Sequence, residues 1–213
     1  MIKFTRNEVR DLIIAFFVIS LCFAIVQCGR DTNAILAMLP IIMFGVGTGF
    51  ILHELGHKFV SIKYGYWAEF KLWPQGLIFA LITSFFGFVF AAPGAVYTYA
   101  NYMTDEINGK ISIAGPVVNI IMALVFLAIG IAVYPSAFYS DTSYLIFVIC
   151  AVGYSINSFL AVFNLLPIGN LDGSKVLRWN IGIWIITIAI AGILTAASMT
   201  IGFQNIVGLI IGM

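Results

Sequence analysis

The chain has 213 residues, of which 62% are hydrophobic and 9% charged, and its mean hydropathy is +1.08. A soluble domain of this length does not cover so much apolar surface, so the composition excludes a soluble globular protein and indicates a polytopic membrane protein. The net charge of +1 excludes the strongly basic surface that a nucleic-acid partner requires.

Apolar segments of the length expected for membrane helices recur along the whole chain. They are Leu12–Cys28, Ile35–Val60, Leu77–Ala92, Ile111–Tyr134, Tyr144–Leu166 and Ile181–Thr200. Because a transmembrane helix needs roughly 20 residues, Leu77–Ala92 is marginal and the others suffice. A last apolar tail runs to Met213. The sequence therefore predicts an all-α polytopic membrane protein with about five to six transmembrane helices, in a single domain over residues 1–213.

Basic residues indicate how these segments are oriented. They precede the first segment and follow the second and the fifth: Lys3, Arg6, Arg10, Lys58, Lys63, Lys71, Lys175 and Arg178. The positive-inside rule puts such residues in the cytoplasm, which predicts a multi-pass cell-membrane protein with a cytoplasmic N-terminus. If Leu77–Ala92 crossed the membrane, Lys175 and Arg178 would lie outside. We therefore predict that this segment is re-entrant or interfacial.

The second segment ends in a motif, His53-Glu54-Leu55-Gly56-His57, that contains both histidines of the chain. On a helix, the H-E-x-x-H spacing puts two imidazoles on one face, one turn apart, where they can share a zinc ion. The glutamate then lies beside the open position of the metal. A chance occurrence is disfavoured, because buried ionisable groups are costly in a membrane. The motif thus indicates a hydrolytic metal site at membrane depth.

The two flanks of the marginal segment alternate as strands do. Residues 67–73 and 95–99 carry aromatic and β-branched side chains at a period of two. They predict a small β-sheet beside the membrane site, with an edge that could bind an extended peptide as an added strand. Alternatively, they form an aromatic belt at the membrane interface, where Trp and Tyr collect.

Zinc held by two histidines requires a third protein ligand, and Asp172 is the natural candidate. This residue follows the fifth apolar segment and the helix-breaking Pro167. Asp172 and His53 lie toward the same side of the membrane only if one crossing separates their two segments. That condition again requires that Leu77–Ala92 does not cross. The alternative is that Asp172 caps a following helix, Gly173–Trp179, at the interface.

Small and polar residues inside the apolar segments predict close helix packing. Gly45 and Gly49 lie one helical turn apart in the second segment, and Gly115-Pro116 predicts a kink in the fourth. Asn119 follows this kink and is a candidate for orienting substrate. An asparagine inside a membrane is more often a hydrogen-bonding link between helices, so both interpretations stay open.

Several motifs together resemble the site-2 protease family of intramembrane zinc metalloproteases. The two most specific are His53-Glu54-Leu55-Gly56-His57 and Asn164-x-x-Pro167-x-x-x-Leu171-Asp172-Gly173. Two further stretches are similar to archaeal and bacterial members, namely Phe90–Ala95 and Ala114-Gly115-Pro116-x-x-Asn119. Either half of the two-part motif alone would be far less specific.

The resemblance implies a three-helix catalytic core at about residues 35–180, with a re-entrant β region at about 66–102. It implies one zinc ion per chain, held by His53, His57 and Asp172, and Glu54 as the catalytic base. It also implies that Asn164 holds the substrate, a protein or peptide cut within or near its transmembrane segment in the lipid bilayer. The chain has no stretch that is long or polar enough for the PDZ or CBS-pair domains of some members.

Two other functions are compatible with the same residues. One is a metal transporter or sensor, although a transport path usually needs more polar residues than a single cluster. The other is an inactive relative that binds transmembrane segments without cutting them, which the intact Glu54 disfavours. The sequence predicts no oligomeric state.

Overall fold

The computed structural model describes residues 3–212, so Met213, where the predicted apolar tail ends, lies outside the described residues. Within this range the chain forms nine α-helices and two strands. The helices are α1 Arg6–Cys28, α2 Thr32–Val46, α3 Leu52–Lys63, α4 Pro74–Ser84, α5 Asp105–Ala137, α6 Asp141–Asn164, α7 Asp172–Trp179, α8 Ile181–Thr200 and α9 Phe203–Ile211. The strands are β1 Trp67–Leu72 and β2 Gly94–Tyr99.

Five helices are long and apolar enough to cross a membrane: α1, the continuous helix Thr32–Lys63 that contains α2 and α3, α5, α6 and α8. Each of them contains or overlaps an apolar segment identified in the sequence. The prediction of an all-α polytopic membrane protein with a small β-element is therefore confirmed. The apolar tail forms the short helix α9. It begins directly after Gly202, a glycine with a positive φ of 81°.

Several helices begin at residues that satisfy the free backbone N–H groups of the first turn. The Thr5 hydroxyl accepts from the N–H of Glu8 at the start of α1, and the Asp31 carboxylate accepts from two N–H groups at the start of α2. Thr104 caps α5 in the same way, and Asn180 caps α8. These caps fix the point at which each apolar run becomes a helix.

The second spanning helix is irregular just before the histidine motif. Residues Gly47–Ile51 form a π-helical turn between α2 and α3, a feature that is frequent next to functional sites. A Cβ atom at Gly45 would lie 2.9 Å from Ile156, and one at Gly49 would lie 2.9 Å from Leu160. Glycine at both positions lets α6 approach closely, as the spacing of these residues predicts.

The segment between the two strands leaves and returns to the same place. Strands β1 and β2 pair antiparallel with Leu72 opposite Gly94, and the N–H of Trp73 donates to the carbonyl of Pro93 over 2.8 Å. Helix α4 has 11 residues, or about 16 Å, roughly half of the hydrocarbon thickness. The segment between the strands, residues 73–93, begins and ends at the same strand pair, so it does not carry the chain across a bilayer. Of the two interpretations of residues 67–73 and 95–99, the sheet is the one that is observed.

A buried ion pair joins α1, α3 and β1. The Lys58 ammonium lies 2.6 Å from both carboxylate oxygens of Glu8, and each side chain is 1% exposed. Glu8 also accepts a hydrogen bond from the backbone N–H of Phe70 in β1. Lys58 is therefore neutralised within the protein and supplies no free positive charge to orient the helices. The positive-inside rule counts charges by their position in the sequence and does not detect a lysine that is neutralised within the protein.

Breaking this pair should destabilise the protein strongly, because one charge would be left buried without a partner. For Lys58→Met we expect the free energy of unfolding to fall by about 3 kcal/mol. The measurement is thermal unfolding in detergent. Glu106→Gln is the matched control, since it removes the half-exposed pair between Glu106 and Lys110 and should cost less than about 1 kcal/mol.

The combined variant Glu8→Gln with Lys58→Met tests the cause. It removes both charges, so it should be more stable than Lys58→Met alone. If it is less stable instead, the loss comes from packing and the electrostatic explanation is wrong.

Candidate metal centre

The three residues predicted to bind metal converge on one point. His53 and His57 lie one turn apart on α3, and their Nε2 atoms are 3.0 Å apart. The Oδ2 atom of Asp172 lies 3.3 Å from the first of these nitrogens and 3.0 Å from the second. All three residues are buried and form a group with the geometry of a metal site. Residues separated by more than a hundred positions thus meet as the sequence predicts.

The start of α7 brings Asp172 to the histidines. Asp172 is the first residue of this helix and follows the irregular segment after α6. A Cβ atom at Gly173 would overlap the carbonyl of Leu165, so the chain can turn this tightly only with glycine at that position. Asp172 is the first residue of the helix, whose N-cap is Leu171 with no side-chain cap, so the capping alternative is wrong and the Asp172 side chain is directed at the histidines.

Lys175 lies one turn after Asp172 and contacts its second oxygen. The Lys175 ammonium is 3.5 Å from Oδ1, so the two oxygens of the carboxylate face different partners. Burial raises the pKa of the Asp172 carboxyl, but protonated imidazoles at His57 and His53, together with the ammonium of Lys175, outweigh this effect in the metal-free protein. The pKa of Asp172 is therefore held below its ordinary value, and the side chain is a carboxylate. A carboxylate is the form that binds a metal ion.

The outer nitrogen of each imidazole is held by an oxygen that only accepts hydrogen bonds. His53 Nδ1 donates to the side-chain oxygen of Asn119 over 2.6 Å. His57 Nδ1 donates to the backbone carbonyl of Ile111 over 2.8 Å. In its neutral form, which is the form that binds a metal ion, an imidazole has one N–H; with that N–H on Nδ1, each Nε2 atom carries a lone pair directed toward Asp172.

With both imidazoles neutral, three acceptor atoms face one another in a buried site, an arrangement that a metal ion between them stabilises. Two imidazole nitrogens and one carboxylate oxygen are a ligand set that zinc accepts in hydrolytic sites. Ligand atoms at zinc bond lengths in a tetrahedral site are roughly 3.3 Å apart, close to the distances of 3.0–3.3 Å between the three atoms here. The residues present fit a zinc ion.

Gly115 keeps the space between the two histidines open. A Cβ atom at this position in α5 would lie 2.5 Å from His57 Nε2 and 2.6 Å from His53 Nε2. Any side chain at residue 115 would therefore occupy the point on which the ligands converge. The sequence interpretation assigned Gly115 to a helix kink and missed this role. Gly115 lies four positions after Ile111, so the sequence places both residues on one face of α5. It does not reveal that this face packs against α3.

Glu54 lies in the same site and has an unpaired oxygen. Its side chain is 7% exposed, and its Oε2 atom has no hydrogen-bond partner among residues 3–212. The residue lines a cavity of about 510 Å³, which also contains His53, His57 and Asp172 in its wall. A buried carboxylate oxygen without a protein partner is available to a water molecule or a substrate.

The cavity beside these residues is mostly apolar. Its wall includes Phe50, Phe90, Leu160 and Phe163 and the irregular segment 166–171. Irregular backbone at membrane depth is tolerated where it lines such a cavity. Asn164 also lines the cavity, and its Nδ2 donates to the carbonyl of Leu160 over 3.0 Å. The side-chain oxygen of Asn164 is not used in this hydrogen bond. The contact of Asn164 with a substrate stays a prediction.

Asn119 is placed differently from the substrate contact predicted for it. The residue is completely buried and does not line the cavity. Its Nδ2 donates to the carbonyl of Gly49 and to the side-chain oxygen of Asn157, and its own oxygen accepts from His53. Both N–H groups are therefore used within the protein, and Asn119 orients a histidine rather than a substrate. Asn157 was not identified from the sequence.

Comparison with known proteins finds two relatives with similar names. The chain is 42% identical to the "Putative zinc metalloprotease MJ0611" of Methanocaldococcus jannaschii over 185 residues, which cover 86% of this chain and 90% of the relative. It is 28% identical to the "Putative zinc metalloprotease YwhC" of Bacillus subtilis over 156 residues, which cover 67% of this chain and 70% of the relative. No family model and no solved structure matches the chain.

Adding a methyl group at Gly115 should prevent metal binding. For Gly115→Ala we expect the bound zinc per chain to fall at least tenfold, because the new Cβ would contact both Nε2 atoms. The measurement is the zinc content of purified protein after dialysis. Gly192→Ala is the matched control, since a Cβ atom at this position in α8 has no atom within 4 Å. A zinc content equal to that of wild type would show that the metal does not bind between these nitrogens.

Proposed function

This chain belongs to the zinc metalloprotease family of the Methanocaldococcus relative, and we propose that it is an intramembrane endopeptidase of the site-2 protease type. It would hydrolyse peptide bonds in or near transmembrane segments of membrane proteins, in regulated intramembrane proteolysis. The observation that carries the proposal is the meeting of His53, His57, Asp172 and Glu54 in one cavity. Three of these residues belong to a helix that is long enough to cross the membrane.

The residues of this site divide into ligands and a proton carrier. His53, His57 and Asp172 would hold one zinc ion, which supplies Lewis acidity and lowers the pKa of water toward neutrality. Glu54 has the free oxygen and takes the proton of the attacking water molecule. It then passes this proton to the nitrogen of the leaving amine, so that the cleaved bond does not re-form. The apolar cavity limits competing water and strengthens these electrostatic interactions.

The substrate would bind as an extended chain along β2. Residues Gly94–Tyr97 of this strand line the same cavity as Glu54. Strand β2 pairs with β1 on one side only, so its other edge can form hydrogen bonds to an added strand. A helix must unwind before its backbone is accessible to hydrolysis, and such pairing would stabilise the unwound form. In this arrangement Asn164, which lines the same cavity, would hold the substrate backbone.

We further propose that the active site lies toward the cytoplasmic side of the cell membrane, with the N-terminus in the cytoplasm. Among the basic residues that support this orientation, Lys63 ends the spanning helix that carries His57, and Lys175 and Arg178 are on α7 with Asp172. Labelling of single cysteines introduced at Lys3 and at Tyr139 with an impermeant reagent, in intact cells, tests it. We expect the reagent to label position 139 and not position 3. Labelling at position 3 but not at position 139 would show the opposite orientation.

Cleavage should depend on both zinc and Glu54. Purified protein is incubated with a peptide that spans a detergent micelle or bilayer, with and without a zinc chelator. We expect chelation to stop cleavage and added zinc to restore it. Glu54→Gln should keep the zinc content of wild type and lose at least a thousandfold in kcat, because the amide does not take up a proton.

Glu106→Gln, on the exposed start of α5, is the control for handling and folding and should cleave normally. Two results would contradict the proposal. An active Glu54→Gln protein would remove Glu54 from its catalytic role, and cleavage that survives complete removal of zinc would exclude a zinc protease.

The third ligand is tested by metal content alone. Asp172→Ala should weaken zinc binding by at least a hundredfold, since two imidazoles without a carboxylate leave the ion with an incomplete ligand set. The measurement is competition with a chromogenic chelator. Asp141→Asn changes an exposed carboxylate in the first turn of α6 and should leave the affinity unchanged. Equal zinc affinity in Asp172→Ala and wild type would show that the metal is bound elsewhere.

A further inference from the structure

Two asparagines inside the membrane helices contact each other behind the metal site. Asn119 in α5 and Asn157 in α6 are both completely buried, and neither lines the cavity. Asn119 Nδ2 donates to the side-chain oxygen of Asn157 over 3.2 Å. A buried amide is costly in a membrane protein unless its groups are paired, so this contact requires an explanation.

Backbone carbonyl groups fix the orientation of both amides. Asn157 Nδ2 donates to the carbonyl of Gly153 over 2.8 Å and to the Thr48 hydroxyl over 3.3 Å. Its oxygen must therefore point toward Asn119. Asn119 Nδ2 donates in turn to the carbonyl of Gly49 over 2.7 Å, which leaves the oxygen of Asn119 for His53. Every step has one possible direction, because a carbonyl oxygen only accepts hydrogen bonds.

This direction determines which nitrogen of His53 carries the proton. With the amide of Asn119 as observed, Nδ1 is the donor and Nε2 has the lone pair that a metal needs. If the amide were rotated by half a turn, its N–H group would face Nδ1, and the proton would move to Nε2. The rotated amide would also put an oxygen against the oxygens of Gly49 and Asn157. The contact with Asn157 thus favours the tautomer of His53 with the proton on Nδ1, in which Nε2 is free to bind metal.

His57 has the same tautomer without any such arrangement. Its Nδ1 donates to the backbone carbonyl of Ile111, which has no second orientation. The two histidines of the site therefore differ in what holds them: one is held by a fixed carbonyl and the other by an amide that needs orienting. A change at Asn157 should affect only His53.

We propose that Asn157 is a positioning residue, which fixes the amide of Asn119 and thereby keeps the Nε2 atom of His53 free for the metal. This inference rests on the proposed function in that it takes His53 as a zinc ligand. The fixed tautomer can be detected in metal-free protein as well, so it can be tested separately. Within residues 3–212, Asn157 does not line the cavity and forms no hydrogen bond to His53, His57 or Asp172, so it acts through Asn119.

Two variants at residue 157 separate this role from simple packing. Asn157→Leu has nearly the same shape but does not accept a hydrogen bond, whereas Asn157→Asp retains an oxygen that accepts from Asn119. A positioning role predicts that Asn157→Leu weakens zinc binding at least tenfold and that Asn157→Asp stays within about threefold of wild type. A packing role predicts the opposite order, because leucine is the better residue in an apolar helix contact. Ser158→Ala, at a buried serine with only a local hydrogen bond to Ser155, is the control.

The second measurement reads the tautomer directly. The chain has two histidines, so protein labelled with ¹⁵N-histidine gives the signals of two imidazoles. In chelator-treated wild type both should show Nδ1–H. In Asn157→Leu the signals of His53 should shift toward a mixture of tautomers, while those of His57 stay unchanged. Asn119→Leu, which removes the direct partner, should give the same shift to a larger extent.

The outcomes distinguish this inference from the proposed function. If wild type binds zinc and Asn157→Leu retains both the wild-type zinc affinity and the Nδ1–H tautomer of His53, the positioning role is wrong and the zinc site stands. If wild type does not bind zinc at His53, the proposed function fails, and a shift of the His53 tautomer in Asn157→Leu still supports the hydrogen-bond relay. Equal shifts at His53 and His57 would indicate a general loss of structure and would overturn the specific role of Asn157.

Discussion

The structure depends on three hydrogen-bond acceptors that are held against one another in a buried site. His53 Nε2, His57 Nε2 and Asp172 Oδ2 lie within 3.3 Å of each other. With both imidazoles neutral, repulsion between these atoms would separate the start of α7 from α3 unless a cation lies between them. A metal ion bound here would therefore join these two helices as well as supply chemistry. The tight turn at Gly173 makes the arrangement possible, since it brings a carboxylate back toward a helix that ended far earlier in the chain.

Helix α5 supports this site with one face. Ile111 holds His57, Gly115 leaves room between the imidazoles, and Asn119 holds His53. These residues are four positions apart, so they form a single stripe along the helix. Each contributes a different property: a backbone oxygen, the lack of a side chain, and an amide. The stripe explains why a helix that provides no metal ligand is nonetheless part of the site, and why a bulkier residue at its centre is incompatible with the metal.

The residues of the site could be predicted from the sequence where their type is rare in the apolar segments. With two histidines in the chain and few acidic residues at membrane depth, His53, His57, Glu54 and Asp172 could be associated with one another from the sequence alone. Asn119 and Asn157 could not be assigned in this way, because the partner of an amide depends on how two helices are rotated against each other. The burial of Lys58 could not be predicted for a related reason, since its partner Glu8 is on another helix.

The pair between Glu8 and Lys58 has a consequence for the site itself. Lys58 follows His57 directly, and Glu8 accepts from both the Lys58 ammonium and the backbone of Phe70 in β1. Strand β1 is in register with β2, and β2 lines the cavity. The helix with the candidate zinc ligands and the strand proposed to receive the substrate are thus joined through this carboxylate, and also directly by a hydrogen bond between the hydroxyls of Ser61 in α3 and Thr98 in β2. A peptide paired with β2 would therefore lie at a constant distance from Glu54. Cleavage would then require little rearrangement of the sheet.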